Sequence, residues 1–264
     1  MKFVDTHCHL THFPKNDVES IIQNAESLGV DKFIAVACTL SEAGDCLALA
    51  DGADNIWATV GIHPTQLPED DIEANLEQVY EIAKNESKTV AIGEIGLDYY
   101  HDTAPHELQA AYFIGQLNIA NQVGKPAIIH CRGGKNPGEN EKAFIDLIRI
   151  LEAEKFTNGV IHCFSGNAIE AEKIIDLGLM VSFTGIITYK NNEALRDAIR
   201  DIPLDRIMLE TDSPYIAIDG HQSDGGHPKY VVDIAKKIAE IKNISVDEVA
   251  RMTTENAKRF FGVI

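Results

Sequence analysis

Gly124-Lys125-Pro126-Ala127-Ile128-Ile129-His130-Cys131-Arg132 is the stretch on which the reading of this chain turns. A helix-period segment, Glu107 to Gln122, runs into Gly124, a residue suited to the positive φ that ends a helix. A short apolar strand, Ala127 to Ile129, comes next, and a histidine stands directly after it. The same unit recurs on both sides. With Ala127 to Ile129, strand candidates at Phe3-Val4, Phe33 to Val36, Ile56 to Val60, Val90 to Ile92, Val160-Ile161, Leu179 to Phe183 and Ile207 to Leu209 make eight. Helical periodicity fills the gaps: Asp17 to Leu28, Ala43 to Leu49, Ile72 to Ala83, Lys142 to Leu151, Ala168 to Leu177, Glu193 to Ile199 and Lys229 to Ile241. Gly29 and Gly178 repeat the part of Gly124. Strict alternation demands a parallel sheet, and eight units averaging about 30 residues favour a closed barrel over an open sheet. The expected fold is a (β/α)8 TIM barrel, one domain over residues 1–264, with Val246 to Phe260 as an extra C-terminal helix closing an end.

Composition agrees with that size. At 264 residues, 45% apolar and 24% charged, the chain can bury a full core and is not expected to be disordered. Only Phe3 and Val4 separate the charged Lys2 and Asp5, and no run approaches the ~18 apolar residues of a membrane span. The expectation is a cytoplasmic protein without membrane contact, with a monomer favoured. Cys8, Cys38, Cys46, Cys131 and Cys163, an odd number without CxxC spacing, read as reduced thiols. The net charge of −18 repels polyanions and argues against a broad duplex-binding surface. It leaves room for a local grip on a chain end or a small phosphoester, because bound divalent cations reverse the potential inside one cleft.

Chemistry concentrates at the strand ends. His7-Cys8-His9, Glu94, His130, His162 and Asp212 follow the first, fourth, fifth, sixth and eighth strands, and a barrel gathers these ends into one ring. His7 and His9, two apart on extended chain, point the same way, into the barrel mouth. By the same alternation Cys8, Cys131 and Cys163 point toward the helical layer as packing residues. Four histidines and two carboxylates exceed the ligands of one four-coordinate zinc that keeps an open position, so two divalent ions are expected. Glu94 suits the bridge; His7, His9 and Asp212 complete one site, and His130 with His162 the other. Asp212 is also placed to accept a proton from an attacking water, which makes Glu94 and Asp212 the expected catalytic carboxylates. Such sites accept Zn, Mn, Co or, less readily, Mg.

These residues, in this order, resemble the TatD family of metal-dependent deoxyribonucleases among the amidohydrolase-type barrels. The likeness rests on Asp5-Thr6-His7-Cys8-His9-Leu10, Gly61-Ile62-His63-Pro64, Ile92 to Tyr100, His130-Cys131-Arg132, His162 to Gly166 and Glu210 to Tyr215, and spans nearly the whole chain. It implies a (β/α)8 barrel, divalent metals on the six residues named, and hydrolysis of DNA phosphodiesters, typically exonucleolytic with 3′ to 5′ polarity. It also suggests that His63 faces the substrate. Arg132 has two readings, a bidentate phosphate contact or a loop anchor, and Asp98 and Tyr99 either orient a ligand or brace their loop. Two rims depart from the family pattern: Gly133 to Gly138 after the fifth strand, and Asp219 to Pro228 after the eighth, where His221 and His227 are candidate phosphate contacts. His12, His101 and His106 carry weaker signals.

Rival activities share the same activated water. An amide, ester or lactone hydrolase, including a D-aminoacyl-tRNA deacylase, keeps this ligand set, though many such barrels carry a lysine on the fourth strand where Glu94 stands here. A metal-holding module without turnover would lack the base that Asp212 provides.

Overall fold

The computed structural model describes residues 1–68, 71–101, 103–135, 139–262 and 264. Eight parallel strands run in chain order around one sheet: β1 (Phe3–Cys8), β2 (Val30–Ala35), β3 (Ile56–Val60), β4 (Thr89–Asp98), β5 (Ala127–Arg132), β6 (Gly159–Ile161), β7 (Met180–Phe183) and β8 (Ile207–Leu209). The ring closes just beyond β8, where Asp212 N–H donates to His7 O (2.9 Å) and His9 N–H to Ser213 O (2.8 Å). Thr6 adds a side-chain bond to Leu209 O (3.0 Å). Helices α1 (Val18–Ser27), α2 (Leu40–Asp51), α3 (Ile72–Asn85), α4 (His106–Val123), α5 (Glu139–Ala153), α6 (Ala168–Asp176), α7 (Glu193–Asp201) and α8 (Val231–Lys242) separate or follow the strands, and α9 (Val246–Phe261) ends the chain. The expected TIM barrel with an extra C-terminal helix is the fold. No described helix is long and apolar enough to cross a membrane.

Two apolar layers set the site's position. The larger lies between strands and helices and includes Phe33, Leu97, Phe113, Leu147, Phe183 and Ile234. A smaller cluster gathers Val4, Ile34, Val160, Met180 and Met208 from the strands with Ala257 and Phe261 of α9. Val4, Val160, Met180 and Met208 stand at the first or second position of their strands, so α9 plugs the amino-terminal end of the barrel, leaving the carboxyl-terminal end as the mouth.

Two boundaries differ from the sequence reading, for local reasons. Helix α2 starts at Leu40, ahead of the expected Ala43, because Thr39 caps it by accepting Glu42 N–H (3.2 Å). Strand β4 runs to Asp98, past the expected Ile92, because its glycines serve close backbone packing and do not end it. At Gly96, with φ of 140°, a Cβ would collide with His130 O on β5. Between Ile92 and Ile95 the register against β5 shifts, so an extra β4 residue bulges out beside Glu94.

Candidate metal centre

Backbone anchors aim the strand-end side chains inward. Glu94 N–H donates to Ala37 O (2.9 Å), and Thr59 Oγ1 donates to the neighbouring Gly93 O (2.5 Å), tying β4 to the ends of β2 and β3. Asp212 sits at φ of 51°, in the left-handed region that Asp tolerates at a cost of about 1–3 kcal/mol. Asp5 buckles β1 to the segment after β8 by accepting Thr211 N–H (2.9 Å) and Thr211 Oγ1–H (2.6 Å). Burial pushes its carboxyl up to about 8.

Four of the other five expected ligands face Glu94, and Asp212 faces two of those four. Glu94 Oε1 lies 2.8 Å from His162 Nε2 and 2.9 Å from His130 Nδ1; its Oε2 lies 3.4 Å from His7 Nε2 and 3.7 Å from His9 Nε2. Asp212 Oδ1 is 3.3 Å from His9 Nε2 and 3.7 Å from His7 Nε2. Each carboxylate oxygen of Glu94 therefore serves its own histidine pair. Within each pair the facing nitrogens, His7 Nε2 with His9 Nε2 and His130 Nδ1 with His162 Nε2, are 3.2 Å apart. Two nitrogens bound about 2.0–2.1 Å from a tetrahedral zinc lie roughly 3.3 Å apart, so the spacing fits ligands of a common cation.

Hydrogen bonds on the far side of the imidazoles orient them for this task. His9 Nδ1 sits 3.1 Å from Val36 O, which leaves Nε2 free to ligate. His130 Nε2 sits 3.0 Å from Asp98 Oδ2, which directs Nδ1 inward. Glu210 Oε1 lies 3.4 Å from His162 Nδ1, at ion-pair distance without hydrogen-bond alignment.

Electrostatics point the same way. Burial alone would raise Glu94, yet His162 and His63, with hydrogen bonds from His130 and His162, hold it well below the usual carboxylate range. Burial is likewise outweighed at Asp212, lowered by His9 and His7, and at His162, raised well above the ordinary imidazole value by Glu94 and Glu210. A buried ring that keeps its carboxylates ionised and raises His9, His130 and His162 is a site that wants cations, while burial lowers His7 and His63. The His, Glu and Asp groups are thus able to hold divalent metal.

The model of the family TatD related DNase matches residues 4–262. The chain belongs to the TatD family. The uncharacterized metal-dependent hydrolase YcfH of Escherichia coli K12 is 37% identical over 269 residues, covering 100% of this TatD-family chain and 97% of its own. The uncharacterized metal-dependent hydrolase YabD of Bacillus subtilis is 34% identical over 262 residues, covering 98% of each. The solved structure of the TatD homolog YjjV from Escherichia coli superposes with a TM-score of 0.90 at 31% identity, covering 99% of this chain and 98% of its own. Membership makes this TatD protein a metal-dependent hydrolase.

The remaining expected residues divide into those at the ring and those on the rim. His63 Nε2 lies 3.2 Å from Glu94 Oε1, and its Nδ1 is 2.7 Å from Thr65 Oγ1, so His63 joins the ring itself. Arg132 is exposed, its guanidinium 4.2 Å from the centre of the Tyr100 ring, with Lys135 at 4.9 Å from the same ring. His227 lines a groove of about 540 Å³ with His12, Phe13, Pro214 and Lys229. His221 turns to Asp224 Oδ2 (3.2 Å). Of the Gly133 to Gly138 rim, Asn136, Pro137 and Gly138 lie outside the described residues. Tyr99 braces instead of orienting a ligand, its hydroxyl on Asp146 (3.0 Å) and its ring stacked on His106.

Cys163 corrects the alternation argument. Strand β6 ends at Ile161, and Cys163 takes φ of 44°, so it follows a turn and not a pleat. It is half-buried, with Sγ 3.4 Å from Thr184 Oγ1, and burial pushes its thiol up to about 12. Cys8 and Cys131 are buried as expected.

Sequence reasoning passed over two neighbours of the ring. Glu210, two residues before Asp212, accepts Cys163 N–H and Ser182 Oγ–H, both at 2.5 Å, and its spacing in Glu210-Thr211-Asp212 was the available signal. Cys38 Sγ is 3.9 Å from both Glu94 Oε2 and His9 Nδ1. It follows β2, a strand end without histidine, and so carried no motif.

Proposed function

We propose that this chain is a phosphodiesterase that releases mononucleotides from the 3′ end of single-stranded DNA, using two divalent ions. His7, His9 and Asp212 would hold one ion and His130 with His162 the other, with Glu94 a ligand available to both. The observation that carries this reading is the division of Glu94, with Oε2 facing His7 and His9 and Oε1 facing His130 and His162. Bound there, the ions supply the charge that lowers the proton affinity of an attacking water and offsets charge on the phosphoryl oxygens.

The protein's own groups do the rest. Asp212 accepts the proton of the water: its side chain is 13% exposed against 4% for Glu94, so it is the carboxylate that water reaches from the mouth. His63, fixed by Thr65, faces a phosphoryl oxygen. Arg132 and Lys135, stacked on Tyr100, give the rim of an otherwise acidic chain a local cationic patch for the next phosphate. The groove bearing His227 and Lys229 takes the strand on the other side, with His221 at its outer edge. This patch, and a carboxylate where many amide-cleaving barrels carry a lysine, favour phosphoesters over amides.

The test is a panel of single-stranded DNA, simple phosphodiesters, carboxyl esters and amides offered to metal-loaded protein. Mononucleotide release stopped by a chelator, and reduced at least about a hundred-fold by Glu94→Gln and by Asp212→Asn, is expected. Release unaffected by either substitution sinks the mechanism; turnover of amides alone sinks the substrate class.

A further inference from the structure

A three-residue chain of hydrogen bonds stands at the mouth, outside the set of metal-binding groups. The cap at Thr39 places Glu42 in the first turn of α2, where Oε2 accepts Cys38 N–H (2.7 Å) and Oε1 lies 2.9 Å from His12 Nε2. His12 Nδ1 in turn lies 2.6 Å from the Tyr215 hydroxyl. The direction of every bond follows from Glu42. An ionised carboxylate only accepts, so the neutral imidazole of His12 carries its proton on Nε2, its Nδ1 is a lone pair, and the Tyr215 hydroxyl donates to it.

The chain adjoins the metal centre and is open to solvent. The His12 ring stacks on His9 (centroids 5.1 Å apart, planes at 9°), and the Tyr215 ring meets the same His9 edge-on at 5.3 Å. Tyr215 is 62% exposed, although it follows closely on the buried Thr211 and Ser213. A purely bracing network would bury its last hydroxyl. This one ends beside His9 on an exposed residue with its proton committed inward, and among the described residues no protein group donates to its oxygen.

We infer that Tyr215, held in this state by His12 and Glu42, accepts a hydrogen bond from the terminal 3′-hydroxyl of the substrate. The inference rests on the phosphodiesterase reading and gives it a device for recognising a chain end. A phosphodiester linkage has no donor to offer Tyr215, since inside a strand the 3′-oxygen is esterified. Only the terminal sugar carries a free hydroxyl that satisfies the lone pair. His12 and Glu42 are positioning residues; Tyr215 alone touches the substrate.

The experiment is calorimetric binding of thymidine 5′-monophosphate and of its 3′-deoxy analogue to metal-loaded protein, which requires no turnover. Wild type is expected to prefer the hydroxylated nucleotide about five- to ten-fold, the worth of one net hydrogen bond. Tyr215→Phe brings the ratio to about one. His12→Phe keeps a ring on His9 but removes the acceptor; it reduces the ratio in wild type and leaves it unchanged in the Tyr215→Phe background, where a merely structural role would act equally in both. Wild type that binds the two nucleotides alike, or binds neither, overturns the inference. So does a preference that survives Tyr215→Phe. The nuclease reading fails separately, by absence of nucleotide release from DNA while the preference for the hydroxyl persists.

Discussion

Replacing Asp98 by Asn alters one proton on one imidazole. Asp98 Oδ1 accepts the backbone N–H groups of Tyr100 and His101, both at 2.9 Å, while Oδ2 faces His130 Nε2 at 3.0 Å and His101 Nδ1 at 2.9 Å. In the Asn variant the two backbone donors demand an oxygen, so the amide nitrogen must take the place of Oδ2. It then presents N–H to His130 Nε2, which must become the acceptor, and the ring proton moves to Nδ1. Nδ1 is the atom aimed at Glu94 Oε1, 2.9 Å away. The variant thus keeps the loop and spoils the ligand, as happens when an orienting carboxylate behind a histidine becomes an amide. Loss of such a partner costs about 10- to 100-fold in metal affinity, or roughly 1.4–2.7 kcal/mol. The loss should fall on the ion shared by His130 and His162 and spare the one on His7, His9 and Asp212. Competition against a graded chelator, read as affinity and as ions per chain, measures it. Wild-type affinity at both positions would refute the argument, as would equal loss at both.

Acidity and the barrel base supply two more predictions. In the metal-free protein, burial lowers His9, His130 and His162, but Asp212, Asp98 and Glu94 outweigh it and raise all three above 6.5; a raised imidazole stabilises the fold fully below its unfolded value and loses that contribution as pH rises through its folded value. Asp5, raised by burial to about 8, acts in the same sense, and His7 and His63, lowered by burial, add nothing further above 6.5. The Tm of chelator-treated protein should therefore fall between pH 6.5 and about 8, while that of metal-saturated protein holds or rises, because metal must displace those protons; parallel curves would contradict this. Phe261, 5% exposed in the plug of the barrel base, should cost about 3–5 kcal/mol as Phe261→Ala, lowering Tm by roughly 10 °C. Metal stoichiometry should stay unchanged, since the plug and the mouth are opposite ends; metal loss with little change in Tm would refute that separation.

The parts legible in the sequence are those that repeat or that follow a period. Eight apolar runs, each answered by a helix, fix the barrel, and a polar ligand after an apolar run marks the mouth because the strand ends there. What escaped depends on contacts across the ring. Thr39 and Glu42 lie ahead of the helix start expected at Ala43, and the Thr39 cap is what sets Glu42 against His12, which comes from the far side of β2 in the chain. His12 follows β1 and Tyr215 follows β8, 203 residues apart, and they meet only because barrel closure brings the first strand beside the last. Asp98 escaped a firm assignment for the opposite reason: its strand was expected to stop at Ile92, and only the continuation of β4 alongside β5 puts its carboxylate behind His130. The groups able to hold metal are thus set by strand ends, which periodicity reveals. The groups that set their tautomers, and those proposed to meet the substrate, lie one contact further out, where closure and strand length decide, and it is there that a chain departing from its relatives would change what it cleaves while keeping how it cleaves.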